Sequence, residues 1–279
     1  NFPTVSYPNP EDPKAFELAL KLAKEKDADI VLATDPDADR LGVYCKDTVN
    51  GGYISFTGNM SGMLIAEYIL RERTENGTMP EKPALVETIV TTDMAKAIAK
   101  AYGVHLIEVL TGFKFIGEVI KEHLAAGHGT FLLGFEESYG YLKGTYARDK
   151  DAVVASMLIC EMAAFYKAKN MTLIDALDEL FERYGYFGER VKNIQITGLD
   201  AAGQMAKIMK GLRENSPASL GGVKVAETRD YLDSTVRRSD GSVGETGLPK
   251  TNMLYYVLEN GDVYICLLYT SPSPRDTER

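Results

Sequence analysis

Cysteine is nearly absent: Cys45, Cys160 and Cys266 are the only three in 279 residues, odd in number and far apart. That excludes a disulfide framework or a zinc-binding cysteine cluster. It points to a reducing, cytoplasmic setting in which each thiol is a small apolar residue. Histidine is as scarce. His105, His123 and His128 show no metal-ligand spacing, and the sequence assigns them no role. Positive charge is in deficit, with 31 Lys and Arg against 40 Asp and Glu and a net charge of −9. With no basic run either, nucleic acid and anionic membranes are excluded as partners. No apolar stretch approaches membrane-spanning length. The longest, Val153 to Tyr166, is interrupted by Glu161 and reads as a buried helix. What remains is ordinary globular composition, 45% hydrophobic and 25% charged, in a chain long enough for about two domains or three small ones.

The richest stretch runs from Asp29 to Arg40, Asp-Ile-Val-Leu-Ala-Thr-Asp-Pro-Asp-Ala-Asp-Arg. Ile30 to Ala33 reads as a buried strand. It leads into carboxylates at every second position, Asp35, Asp37 and Asp39. On an extended loop stiffened by Pro36, alternation throws all three to one side. Three like charges so close require compensation, and a hard divalent cation with oxygen ligands, Mg2+ above all, supplies it. Arg40 is then placed to pair with a phosphate oxygen. A calcium loop of the EF-hand kind fails, because Arg40 and Lys46 stand where Gly and Glu are needed. A solvated acidic turn is the bland alternative. An aspartyl phosphatase with Asp35 as nucleophile and Asp37 as acid is another.

Along the chain, Pro8 to Glu11 reads as a helix start, followed by a stripe of Ala15, Leu18, Ala19, Leu22 and Ala23. Short strands follow at 41–45 and 53–56, then a helix capped by Thr57 running to about Arg73. Residues 75–83 are polar and rich in Gly and Pro, as in a linker. From Ala84 strands alternate with helices: strands at 84–90, 104–109 and 130–133, helices after Thr92-Asp93 and over 113–125. This predicts a parallel sheet covered by helices. Two more helices, 151–167 and 172–183, complete that segment. Beyond Gly185 come strands at 190–196, 223–227, 253–258 and 263–268, with one helix at 201–212 and a two-residue Asn260-Gly261 hairpin turn. The expected fold class is therefore α/β, with mixed, mostly parallel sheets flanked by helices, followed by an incomplete α+β domain with an antiparallel sheet. The expected pieces are 1–73, 84–188 and 189–267, with a patternless tail at 268–279. Both ends are expected to be cut, and oligomeric state is not legible.

Three further loops carry chemistry. Gly134-Phe-Glu136-Glu-Ser138-Tyr-Gly140 follows a strand at the carboxyl end of the sheet, where open α/β folds bind ligands. Glu136 and Ser138 suit neighbouring sugar hydroxyls; an acidic turn is the alternative. Thr111-Gly112-Phe113-Lys114 joins a strand to a helix and offers backbone amides and a cation to an anion, or simply a cap. Arg148-Asp149-Lys150-Asp151 crowds charge before an apolar helix. One Asp there serves as the cap, and both cations are candidates for a phosphate or for proton transfer.

In order, Thr-Asp-Pro-Asp-Ala-Asp-Arg at 34–40, Thr-Gly-Phe-Lys at 111–114, Gly-Phe-Glu-Glu-Ser-Tyr-Gly at 134–140 and Arg-Asp-Lys-Asp at 148–151 resemble the motifs of the α-D-phosphohexomutase family. The phosphoglucomutases and phosphomannomutases are its members, and the resemblance spans about residues 1–266. It implies that Asp35, Asp37 and Asp39 bind Mg2+ and that Arg40 contacts a phosphorylated serine. It further implies that Glu136 and Ser138 hold sugar hydroxyls and that Lys150 contacts the substrate. Thr111, Gly112, Lys114 and Arg148 join the substrate-binding set. The implied reaction is that of an isomerase, an intramolecular phosphotransferase acting on a hexose phosphate through a phosphoserine and glucose 1,6-bisphosphate. Family members have four domains, and these three pieces correspond to the end of the second, the third and most of the fourth. No Ser-His-Asn-Pro-like string and no Arg-Pro-Ser-Gly-Thr-Glu-Pro-like string occurs. The chain alone is therefore expected to be an inactive fragment, or a non-catalytic module binding metal and sugar phosphate.

Overall fold

The computed structural model describes residues 3–5, 7–192, 194, 196 and 200–267. Two compact units divide at Glu189. In the first, the side chain of Asp12 accepts from Lys14 N and starts a 3-10 turn at Pro13–Phe16, which continues as α1, Glu17–Lys26. The helix thus begins later than Pro8, because only Asp12 offers a capping oxygen at the right distance from Pro13. Leu18 and Leu22 of the expected stripe are exposed, whereas Ala15, Ala19, Leu20 and Ala23 pack with Phe16, Val31 and Tyr44.

The first sheet is entirely antiparallel, ordered β1 (Ile30–Thr34), β2 (Leu41–Lys46), β3 (Tyr53–Phe56). Only Val31 of β1 is buried, so this edge strand is less enclosed than its apolar run suggests. Thr57 then accepts from Met60 N and caps α2, Gly58–Glu75, which is buried from Met63 to Leu70.

The second sheet has the order β5 (His105–Val109), β4 (Pro83–Thr88), β6 (Thr130–Phe135), β7 (Tyr141–Lys143). β4 runs parallel to both β5 and β6, and β7 returns antiparallel. α3 (Met94–Tyr102) and α4 (Phe113–Ala126) are the crossovers, as the alternation requires. α5 (Ala152–Ala168) and α6 (Leu173–Tyr184) complete the unit. One hydrophobic cluster takes in Leu41, Phe56, Leu64, Leu85, Leu133 and Ile159. The first two expected pieces therefore share a core and form one body. Buried Glu67 on α2 accepts from Tyr102, Arg183 and Tyr184, so its charge is satisfied while it ties together α2, α3 and α6.

In the second unit, α7 (Ala201–Glu214) accompanies an antiparallel sheet ordered β11 (Val243–Glu245), β10 (Thr235–Arg238), β9 (Val223–Asp230), β12 (Met253–Leu258), β13 (Val263–Leu267). A short β8 (Ser219–Leu220) pairs with β9. None of the described residues of the expected 190–196 strand is in a strand; 193, 195 and the tail 268–279 lie outside the described residues. The β12–β13 hairpin has a three-residue loop rather than two. Leu258 N donates to Asp262 O and Gly261 N to Leu258 O, with Gly261 alone at positive φ, 89°. A two-residue type I′ turn needs two such residues, and Asn260 does not comply. Among the described residues no helix is long and apolar enough to cross a membrane.

Candidate active site

The acidic loop is the tip of the β1–β2 hairpin. Thr34 pairs with Leu41, leaving Asp35 to Arg40 as the connection. Asp35 organises it: its backbone carbonyl accepts from Ala38 N at 3.0 Å, and its Oδ1 accepts from Asp39 N at 3.0 Å and Arg40 N at 3.1 Å. Ala38 takes up the reversal at φ 55°, a left-handed conformation that costs a non-glycine residue about 1 kcal/mol. The result is a set of carboxylate oxygens from Asp35, Asp37 and Asp39, all within 4.8 Å of one another. Burial, joined by the charges of Asp39 and Asp37, pushes Asp35 up to about 6, against the stabilising N–H of Arg40.

The loop after β6 meets this hairpin directly. Leu41 N donates to Tyr139 O at 3.0 Å, and Arg40 and Gly140 form an isolated antiparallel bridge. Ala152 N, in the first turn of α5, donates to Ala38 O at 3.0 Å. Asp151 is the cap of that helix, accepting from Val153 N and Val154 N at 2.8 and 3.0 Å, and is also bonded by the Tyr146 hydroxyl. Three motifs far apart in sequence are thus fastened by main-chain bonds.

Lys150 projects into the junction. Its Nζ lies 3.1 Å from Asp39 Oδ2 and 2.8 Å from Asp149 Oδ1, above the Phe113 ring at 5.4 Å. Burial by itself would lower Lys150, but the bond to Asp149 and the charge of Asp39 outweigh it, and the ammonium is held charged. Its stem crosses Gly140, where a Cβ would stand 2.3 Å from Lys150 Cδ, so a side chain at 140 displaces the lysine.

Glu136 is buried, and its Oε1 accepts from Gly112 N at 2.9 Å. That bond couples the 134–140 loop to the 111–114 loop. Burial and neighbouring Glu137 push Glu136 up to about 7, with the Gly112 N–H, Lys150 and Arg40 opposing. Its proton therefore sits poised at neutral pH. Thr111 Oγ1 is buried with no hydrogen-bond partner among the described residues.

Other expected residues are less engaged. Ser138 is half-buried, Arg148 and Lys114 are exposed, and the Lys114 ammonium lies over Phe115 at 4.7 Å. Among the described residues no hydrogen bond or ion pair ties these three side chains to the acidic loop. Sequence reasoning missed Glu11, which pairs with Arg40 at 3.4 Å, and Glu137, which accepts from Thr88 and Thr91 at 3.2 and 3.3 Å. Glu137 could have been suspected from its doublet with Glu136. Nothing local marks Glu11.

Comparison with known proteins bears on these features. Residues 1–51 match the family model described as phosphoglucomutase/phosphomannomutase, alpha/beta/alpha domain II, and residues 57–184 match that of alpha/beta/alpha domain III. The boundary between the two matches precedes α2, which falls with the second sheet. A phosphoglucomutase of Staphylococcus aureus strain MSSA476 is 34% identical over 276 residues, 99% of this chain and 48% of the relative. That of Staphylococcus saprophyticus is also 34% identical, covering 99% of this chain and 49% of the relative. The chain thus spans about half the length of the curated relatives it matches, and the matched stretch extends into 268–279. Among solved structures, the Paramecium phosphoglucomutase parafusin superposes with a TM-score of 0.59 at 23% identity, covering 96% of this chain and 43% of that one. A Burkholderia thailandensis phosphoglucomutase/phosphomannomutase family protein gives 0.54 at 22%, covering 81% and 41%. These structures speak to the fold alone, whereas the two consecutive domain matches, which enclose all four motifs, establish kinship: this chain belongs to the phosphoglucomutase/phosphomannomutase family, the α-D-phosphohexomutases.

Proposed function

We propose that this chain carries the metal-holding and sugar-reading part of a phosphoglucomutase-type isomerase. The reaction interconverts glucose 1-phosphate and glucose 6-phosphate through a phosphoserine and glucose 1,6-bisphosphate. The observation that carries the reading is the junction itself, where Asp39, Lys150 and the Arg40–Gly140 bridge place carboxylates, cations and the Glu136 loop in one patch. Residues 1–51 act as the end of the family's second domain, 57–184 as its third, and 189–267 as part of its fourth.

The acidic loop fits a hard divalent cation. Its donors are all carboxylate oxygens, they lie within 4.8 Å, and their mutual repulsion is only partly relieved by Lys150. Asp35, Asp37 and Asp39 would hold Mg2+, which when bound supplies positive charge to the oxygens of a transferring phosphoryl group. Arg40 and Lys150 add fixed cationic partners for phosphate oxygens, with Thr111, Gly112, Lys114 and Arg148 on the substrate side. Glu136, poised near neutrality, accepts from or donates to a sugar hydroxyl, and Ser138 does both. Such reversible partners suit a hexose that must be read in two orientations. No Ser-His-Asn-Pro-like string to carry the phosphoserine occurs in these 279 residues, so the reading predicts that they bind sugar phosphate without turnover. An Asp35 phosphatase is disfavoured, because both domain models that match are those of phosphoglucomutase/phosphomannomutase.

Calorimetry with glucose 1,6-bisphosphate, paired with phosphorus NMR of the same mixture, tests the proposal. Binding that requires Mg2+, with the sugar phosphate intact, is expected. Absence of binding with and without Mg2+ sinks it, and release of free phosphate transfers the assignment to Asp35 as a nucleophile.

A further inference from the structure

Every histidine of the chain comes to one place. His105 opens β5, His123 lies in the last turn of α4, and His128 sits in the connection from α4 to β6. The ring centres of His105 and His123 are 6.4 Å apart and those of His123 and His128 are 6.3 Å apart, with His123 in the middle. The backbone reinforces the group, since His128 N donates to His123 O at 3.1 Å. Among the described residues no hydrogen bond or ion pair engages any of their ring nitrogens, so no structural bond has to be broken for them to take a ligand. His105 and His128 are exposed, and His123 is half-buried between them.

We propose that His105, His123 and His128 form a binding site for a borderline-soft divalent cation of the Zn2+, Ni2+ or Cu2+ class. Neutral imidazole is the side-chain ligand these ions prefer, while the all-carboxylate loop suits a hard ion. The histidines stand at the end of the second sheet opposite the loops that meet the acidic hairpin. His105 begins β5 and His128 precedes β6, whereas the Thr111 and Glu136 loops leave the carboxyl ends of those strands. Five residues of β5 separate the ends, roughly 15 Å of strand. Around a tetrahedral ion with metal–nitrogen distances near 2 Å, two imidazole centres lie about 5 Å apart. The His105–His123 and His123–His128 rings are about 1 Å wider than that, and His105 and His128 are in ring contact with His123 and not with each other. The nitrogens do not converge as placed: among the described residues only the acidic trio has three ligand atoms within 4.8 Å of one another. Exposed side chains on a fixed strand, helix end and turn close such a gap by changing rotamer, a motion of nanoseconds.

Calorimetric titration of the full chain with Zn2+ in the presence of excess Mg2+ tests this site. One equivalent of Zn2+ is expected to bind. His123→Gln should weaken it at least tenfold, His105→Gln and His128→Gln should each weaken it measurably, and Asp37→Asn should leave it unchanged. A second readout uses Co2+, whose visible absorption should indicate nitrogen coordination and vanish in His123→Gln. Melting without metal shows whether each variant is folded. No binding below about 100 μM, a correspondingly weak contact, would overturn the site. So would binding that survives His123→Gln or is lost in Asp37→Asn.

Discussion

The second unit and the acidic patch of the first treat charge in opposite ways. In the second, the described arginines of the sheet and helix are matched to nearby carboxylates: Arg213 to Asp230 at 2.8 Å, Arg229 and Arg238 to Glu227 at 2.6 and 2.8 Å, and Arg237 to Asp233 at 3.2 Å. In the first, Asp35, Asp37, Asp39 and Glu136 share the cations Arg40 and Lys150, and burial pushes Asp35, Glu136 and Glu137 upward. A matched pair holds a fold together. An excess of one sign, held in place by main-chain bonds, stores an affinity for something absent from the fold. The four motifs all lie in the unsettled unit, as the proposed function predicts where local consistency yields to function.

The difference is testable by neutralising acids in each unit. The largest effect is expected from Asp35→Asn with Asp37→Asn, which should weaken Mg2+ binding at least a hundredfold in calorimetry, about 2.7 kcal/mol. The same pair should leave the metal-free melting temperature unchanged or raised, since repulsion is removed. In the second unit the sign reverses. Asp230→Asn strands the Arg213 guanidinium and should lower stability by about 3 kcal/mol in urea unfolding. A melting temperature unmoved by Asp230→Asn would erase the contrast.

Glu136 sharpens it further. Its proton is held more tightly in the fold, up to about 7 against an ordinary 4.5, so the folded state binds more protons across that window. Stability is then full below about pH 4.5 and declines as pH rises through 7, by at most about 3 kcal/mol. Glu136→Gln should flatten this slope, read from urea midpoints between pH 4.5 and 7.5. An unchanged slope would mean that another group carries it. The smallest effect belongs to Ala38→Gly, which relieves the left-handed φ and should raise stability by up to about 1 kcal/mol without changing Mg2+ stoichiometry.

Much of this was legible in the chain. The Asp-Pro-Asp-Ala-Asp spacing announced the cluster of carboxylates, though they converge on a turn, with Ala38 left-handed and Ala38 N donating to Asp35 O, and not by alternation on an extended loop. The alternation after Ala84 likewise announced parallel strands, since each crossover helix enforces the direction of the next strand. What could not be read was any contact made by backbone between distant segments. The Leu41–Tyr139 and Ala152–Ala38 bonds use atoms every residue has, and so leave no mark in composition. β10 and β11 escaped for a related reason. Thr-Val-Arg-Arg and Val-Gly-Glu are short, half-exposed and polar; β10 is a strand because β9 pairs with it, and β11 because β10 does, rather than because of a pattern of their own. The histidines failed by spacing: 105, 123 and 128 match no ligand motif, and only the turn of α4 back toward the start of the sheet gathers them.

The clasp of the acidic hairpin between Tyr139 and Ala152 also has a kinetic meaning. The amides of Leu41 and Ala152 and the carbonyls they bond belong to three different stretches of chain, and none can be released without disturbing the others. In hydrogen exchange the three stretches should therefore open as one cooperative unit at a single free energy, not as three fraying loops. Under the proposed function, in which a cation and a sugar are held in fixed register, such shared opening makes a half-formed site a rare species.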